Sequence, residues 1–162
     1  IAVTDAFFLG LIIKLDNIFD ARYFIPITGM LMGNTLRTVI IALDGYFVRI
    51  DTEENYYRWH LANGANQNEA LRPFIRDAIK LAFNPIIATT AVMGLISLPG
   101  MMTGQILGGS DPGVAVKYQI MLIITIFSSG MMNIILAILF TNRFAFDPFG
   151  NLKKYIFRKT SP

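Results

Sequence analysis

The chain has 162 residues and a mass of 18.1 kDa, a length that suits one domain and hardly two. Hydrophobic residues make up 54% and charged residues 15%, with a mean hydropathy of +0.51, against about 45–50% and about 25% in soluble domains. That excludes a disordered chain and argues against a plain soluble globule. The absence of cysteine and a net charge of +3 exclude a disulfide-stapled scaffold, thiolate metal sites and charge-driven nucleic-acid binding.

The placement of the charges says more than their sum. Leu81–Ser110 and Tyr118–Asn142 hold none, and uncharged apolar stretches beyond about 18 residues read as membrane spans. The expected fold class is all-α: a polytopic membrane protein, one transmembrane domain over residues 1–162, with an amphipathic helical hairpin between spans. The chain opens on Ile1. No basic segment precedes the apolar run Ala6–Ile13, so a signal peptide is not expected. A partial span over 1–14 that continues upstream is. The polar patch Lys14–Arg22 follows.

The next span is expected over 23–43, interrupted only by Arg37. Twenty residues of helix measure about 30 Å, the thickness of the hydrocarbon core. Pro26 falls in its first turn, where its missing N–H costs least. Arg37 either snorkels to an interface or faces a polar interior. Residues 44–80 are hydrophilic, with Arg49, Arg58, Arg72, Arg76 and Lys80 set against Asp44, Asp51, Glu53, Glu54, Glu69 and Asp77. Asp51 with Glu54 predicts a helix start. Asn63-Gly64 predicts its end, and Asn66 with Glu69 predicts a capping box for the next helix. Leu71, Phe74, Ile75, Ala78, Ile79 and Ala82 recur at helical spacing, with Arg72, Arg76 and Lys80 on the opposite stripe. Pro73 marks either a kink or a first turn.

A third span is expected over 81–98, broken at Leu98-Pro99-Gly100. Residues 99–110 then form either a re-entrant or an interfacial piece. Asp111-Pro112-Gly113 signals a turn. The last span is expected over 114–141 and leads into a basic tail, 142–162. Lysines and arginines concentrate in 44–80 and in the tail, so three crossings with both of these cytoplasmic satisfy the positive-inside rule.

Catalytic chemistry is sparse. The single histidine, His60, has no placed nucleophile for a triad and reads as an ordinary surface or contact residue. No phosphate-binding P-loop and no paired-histidine metal motif is present, and no metal ligands are assigned. Gly29-x-x-x-Gly33 and Gly100-x-x-x-Gly104, with Gly130 beside Ser128-Ser129, are small-residue contacts at which helices approach closely. The eight methionines read first as gap-fillers, although thioethers also bind soft metals. Amides inside membrane segments usually face a bundle interior. The candidate path residues are therefore Met30, Asn34, Met101, Met102, Gln105 and Asn133. Tyr56, Tyr57 and Trp59 make 51–80 a candidate docking element for a soluble partner. Its outline also suits a DNA-binding helix-turn-helix, but its near-neutral charge and flanking spans argue against nucleic acid.

Three stretches carry a family resemblance. They are Asp20–Asn34 (DARYFIPITGMLMGN); Leu61-Ala-Asn-Gly-Ala65 with Arg72-Pro-Phe-Ile-Arg76; and Ile96–Pro112 (ISLPGMMTGQILGGSDP) with Tyr118-Gln-Ile120. In these the chain resembles the ABC-transporter permease family of bacterial iron exporters and plant aluminium-resistance membrane subunits, over roughly residues 16–141. The resemblance implies further membrane helices upstream, a homodimer of permeases in membrane lipid, and two separate ATPase subunits that carry ATP and Mg. No cofactor and no catalysis are then expected on this chain. It also implies that Leu61, Ala62, Asn63, Gly64 and Ala65 contact the ATPase, with Trp59, Arg72 and Arg76 in the same coupling element. Asn63 stands where the family usually has Leu or a similar residue. Export of a metal ion such as iron is the function the resemblance implies. The alternative is a non-transporting scaffold or receptor that docks a soluble partner through 51–80.

Overall fold

In the computed structural model, residues 21–93, 99–147 and 150–153 are described. The partial span expected over 1–14, the patch before residue 21, the break at Leu98 and the tail beyond 153 lie outside them. The described residues form five helices: α1 (Ala21–Thr52), α2 (Glu54–Ala62), α3 (Gln67–Val92), α4 (Gly100–Leu107) and α5 (Pro112–Ala145). Apart from helices and turns they contain an isolated antiparallel bridge, Phe146 with Leu152.

The buried residues of α1 are Ile27, Leu31, Thr35, Thr38, Ala42, Tyr46, Phe47 and Ile50, a stripe at three- and four-residue spacing. It packs α1 along both α3 and α5. The buried stripe of α3 is Ala70, Leu71, Phe74, Ala78, Ala82 and Phe83, and that of α5 runs from Ala115 and Gln119 through Ser129 and Gly130 to Ile138 and Ala145. Two clusters result. The larger joins the lower halves of α1, α3 and α5 with Tyr57 of α2, and the smaller gathers Met30, Met101 and Met121 around Ile27, Leu31 and Leu122.

Two helices are longer than the sequence reading placed them. α1 continues past residue 43 to Thr52, so Asp51 sits in its last turn and the break falls at Glu53, whose φ is −105° and ψ 34°. α3 fuses the amphipathic helix with the third expected span and runs through both Pro73 and Pro85. An interior proline costs about 3 kcal/mol; burial of Ala70, Leu71, Phe74, Ala78 and Ala82 on one face offsets it. At Gly45 the two long helices meet closely: a Cβ there would lie 2.6 Å from a Leu81 methyl.

α5 is long and apolar enough to cross a membrane, and 28% of its apolar window is buried within the chain. A soluble core helix would be mostly buried. Its outward residues include Ile120, Ile124, Met131, Ile135, Leu139 and Phe140. No other helix among the described residues passes that test, since polar residues are interspersed along α1 and α3.

Candidate functional site

Two features are built on this scaffold, an exposed helical hairpin and a polar-lined cavity. The hairpin is α2 and the start of α3. α2 ends in a Schellman arrangement: the Gly64 N–H donates to the Leu61 carbonyl and the Ala65 N–H to the His60 carbonyl, both at 3.1 Å. That closure needs a left-handed residue, and Gly64 has φ +88°. Directly afterwards Asn66 and Glu69 form the reciprocal capping box, with both bonds at 2.9 Å. The turn is thus fixed from both sides.

Trp59, Ala62, Asn63 and Gly64 are exposed, as are Arg72 and Arg76 on the outer face of α3, whereas Leu61 and Ala65 are half-buried. Leu61 packs against the larger core cluster. The His60 ring lies edge-on to Tyr56 at 4.7 Å and to Trp59 at 5.2 Å, forming an aromatic face at the tip. His60 is half-buried and makes ring contacts, the contact alternative of the sequence reading, and its Nε2 has no partner among the described residues.

The base of the hairpin is tied down. The Arg49 guanidinium pairs with Asp77 and, at 3.1 Å, with Glu53, and it lies 5.6 Å from the Phe74 ring centroid. One side chain thereby links α1, the α1–α2 junction and α3. Tyr57 is buried and donates to the Gly150 carbonyl at 2.9 Å. Burial raises the Tyr57 hydroxyl above its ordinary value; a hydrogen bond from Gln67 opposes this and the Asp147 charge adds to it. The Tyr46 hydroxyl donates to Asn142 Oδ1 at 3.0 Å and is likewise raised, mainly by burial.

Further along the bundle, α1, α3 and α5 enclose a partly open cavity of about 330 Å³. Met30, Asn34, Arg37, Met93 and Gln119 are among its lining residues. A second space of about 220 Å³ adjoins it at Met93 and Gln119 and includes Met102. Of the path residues expected from sequence, Met30 and Asn34 line the larger cavity and Met102 the smaller. Met101 packs in the apolar cluster, while Gln105 and Asn133 line neither. The Asn133 amide donates to the Ser129 carbonyl at 2.8 Å, and Gln105 Oε1 is buried with no partner among the described residues.

Sequence reasoning missed Gln119 as a lining residue. Its signal was a lone amide in the opening turns of an apolar helix, beside Tyr118. No group of histidines and carboxylates able to hold a metal ion occurs among the described residues.

Of the glycines singled out for packing, Gly130 approaches its neighbours: a Cβ there would lie 3.3 Å from the Phe83 ring and 3.7 Å from the Thr38 methyl. A Cβ at Gly29, Gly33, Gly100 or Gly104 would meet nothing within 4 Å.

Comparison with known proteins gives a consistent picture. The sequence model of the uncharacterised protein family UPF0014 matches residues 1–146. The chain is 33% identical over 134 residues to UPF0014 membrane protein slr1647 of Synechocystis, covering 83% of this chain and 52% of that protein. It is 37% identical over 119 residues to an Escherichia coli protein named as a probable iron export permease, FetB, covering 74% and 46%. It is 36% identical over 102 residues to Protein ALUMINUM SENSITIVE 3 of Arabidopsis thaliana, covering 63% and 37%. The chain therefore spans about half the length, or less, of these curated relatives. No solved structure matches it.

Proposed function

The chain belongs to the UPF0014 family of membrane proteins, and we propose that it forms part of the permease subunit of an ATP-driven transporter whose ATP is hydrolysed on a separate subunit. The observation that carries this reading is the continuity of α3. One unbroken helix starts at the capped hairpin tip, carries Arg72 and Arg76 on its outer face, and lines the cavity between Ala82 and Thr90. A force applied at Trp59 and the 61–65 turn passes through the capped turn into one continuous helix that forms part of the cavity wall. α1 makes a parallel connection, from Arg49 at the hairpin base to Arg37, Asn34 and Met30 on the cavity.

In this reading residues 44–80 and the C-terminal segment are cytoplasmic, and α1, α3 and α5 make three crossings. The polar residues that keep α1 and α3 from the apolarity of α5 include Asn34, Thr38 and Thr90, which line the cavity rather than meet lipid. Two permease copies act with two ATPases that bind ATP and Mg. This chain binds no cofactor and performs no catalysis. Iron is the favoured cargo because one relative is named for iron export.

The test is purification of the full-length subunit from its native membrane in mild detergent, with identification of co-purifying soluble proteins. A stoichiometric ATPase that is lost on Trp59→Asp is the expected result. Intact, monodisperse subunit with no ATPase across several detergents contradicts the reading and favours a scaffold.

A further inference from the structure

The chemistry of the cavity wall restricts what passes it. Among the described residues Arg37 is the one charged side chain on the larger cavity, and it has neither an ion pair nor a hydrogen bond there. The neighbouring donors each already make one bond within the helices. Asn34 Nδ2 donates to the Met30 carbonyl at 2.8 Å, and the Thr38 hydroxyl to the Asn34 carbonyl at 2.6 Å. The Thr90 hydroxyl donates to the Ile86 carbonyl at 2.8 Å. One buried acceptor is left over. Gln119 is 9% exposed, its Nε2 rests on the Met93 sulfur at 3.7 Å, and its Oε1 has no partner among the described residues.

A bare divalent cation fits this wall badly. Such ions need several anionic or oxygen ligands around them. The described lining offers no carboxylate, histidine or thiolate, and a fixed positive charge repels the ion. An anion fits it well. A guanidinium at membrane depth without a counter-charge is costly, and carboxylate oxygens supply both the charge and the acceptors its planar fork matches. Gln119 stands on the same wall with Oε1 unpartnered among the described residues, an acceptor that a hydroxyl or a coordinated water would satisfy. The volume is that of a small-molecule site, which begins near about 300 Å³.

We propose that this cavity binds its cargo as a hydroxylated organic anion, a hydroxycarboxylate complex of the metal, and that Arg37 excludes the aquated cation. This rests on the proposed function for the cargo and for its metal; the anion-binding chemistry of the wall stands apart from it.

The experiment is calorimetric titration of the full-length subunit in lipid nanodiscs, without ATPase or nucleotide. The probes are iron(III)–citrate, citrate alone and iron(II) alone. The complex is expected to bind, citrate alone more weakly and iron(II) not measurably. Arg37→Gln should weaken the complex by roughly 10-fold or more, the loss of one charge-assisted contact, and Arg37→Lys by less. Arg37→Glu should reverse the preference and admit iron(II). Because Arg37 is exposed, these variants leave the helix packing intact, which the unfolding temperature checks. Binding of iron(II) in preference to the complex, or affinity for the complex unchanged in Arg37→Gln, overturns the proposal. Binding as expected with no ATPase partner found overturns the transport reading and leaves the cavity chemistry standing.

Discussion

The Tyr57 hydroxyl donates to the carbonyl of Gly150 at 2.9 Å, across 93 positions of sequence. Around this bond the described residues after α5 are joined to one another. Lys153 N–H donates to the Ala145 carbonyl at 2.9 Å, Asn151 N–H to Asp147 Oδ1 at 2.8 Å, and Phe146 bridges to Leu152. The Tyr57 and Phe146 rings stand 6.0 Å apart. Helix α2 is therefore held to the end of the apolar helix as well as to α3.

This relationship sets the first prediction. Tyr57→Phe removes one hydrogen bond, at a cost of about 1 kcal/mol. Gly150→Ala costs more, about 1–2 kcal/mol, because an L-residue is strained in the left-handed region; Gly150 has φ +77°, and an added Cβ would sit 3.4 Å from the Tyr57 oxygen. Thermal unfolding of the full-length subunit in detergent should rank Gly150→Ala below Tyr57→Phe and both below wild type.

A second prediction concerns pH. Tyr46 and Tyr57 both have folded-state values raised above the ordinary tyrosine value of 10.0, chiefly by burial. The folded state thus holds these protons more tightly than the unfolded chain. Their contribution is fully present below pH 10 and is lost as the pH rises from there through the raised values. Unfolding temperature should fall steeply above about pH 10, and Tyr46→Phe should flatten that fall, as measured from pH 8 to 11.

Glycine spacing gives a third. Gly130→Leu inserts a side chain where a single Cβ already reaches 3.3 Å from Phe83, and overpacking of this kind costs about 1–3 kcal/mol. Gly33→Leu has open space within 4 Å and should leave the unfolding temperature of this chain within a degree or so. If both variants unfold alike, the close approach of α5 to α1 and α3 is not where it is placed.

Arg49 supplies the fourth. Its partners Glu53 and Asp77 are 41% and 35% exposed, so solvent weakens each pair, and the link is worth about 1 kcal/mol in all. Arg49→Met should lower the unfolding temperature modestly. The difference should shrink in about 1 M salt, where screening falls to about 3 Å.

The parts of this structure that could be read from sequence are those decided by neighbouring residues. Asn63-Gly64 and Asn66 with Glu69 each act within one turn, and each does in the structure what its chemistry predicts, a left-handed stop at φ +88° and a reciprocal capping box; Asp111-Pro112-Gly113, read as a turn, instead opens α5, with Asp111 Oδ1 accepting from the Val114 N–H at 3.1 Å. What could not be read depends on distant partners. Pro73 left a kink or a first turn open because local propensity cannot choose between them; in the structure α3 continues through Pro73 and Pro85 alike, with Ala78, Ala82 and Phe83 buried between and beside them. Gln119 carried only the mark of a lone amide in an apolar helix; the fold brings it to the same cavity wall as Asn34 and Arg37. Gly29-x-x-x-Gly33 had the spacing of a helix contact, yet both positions face open space among the described residues.

The most direct test of the central claim is flux. The full-length permease and its ATPase would be reconstituted together in liposomes, and ATP-driven movement of iron(III)–citrate measured for wild type and Trp59→Asp. The account predicts ATP-dependent flux in the wild type, and in the variant the loss of flux while cargo binding at the cavity is retained. ATP-dependent flux that is unchanged by Trp59→Asp, or no flux from a complex that hydrolyses ATP and binds cargo, would contradict it.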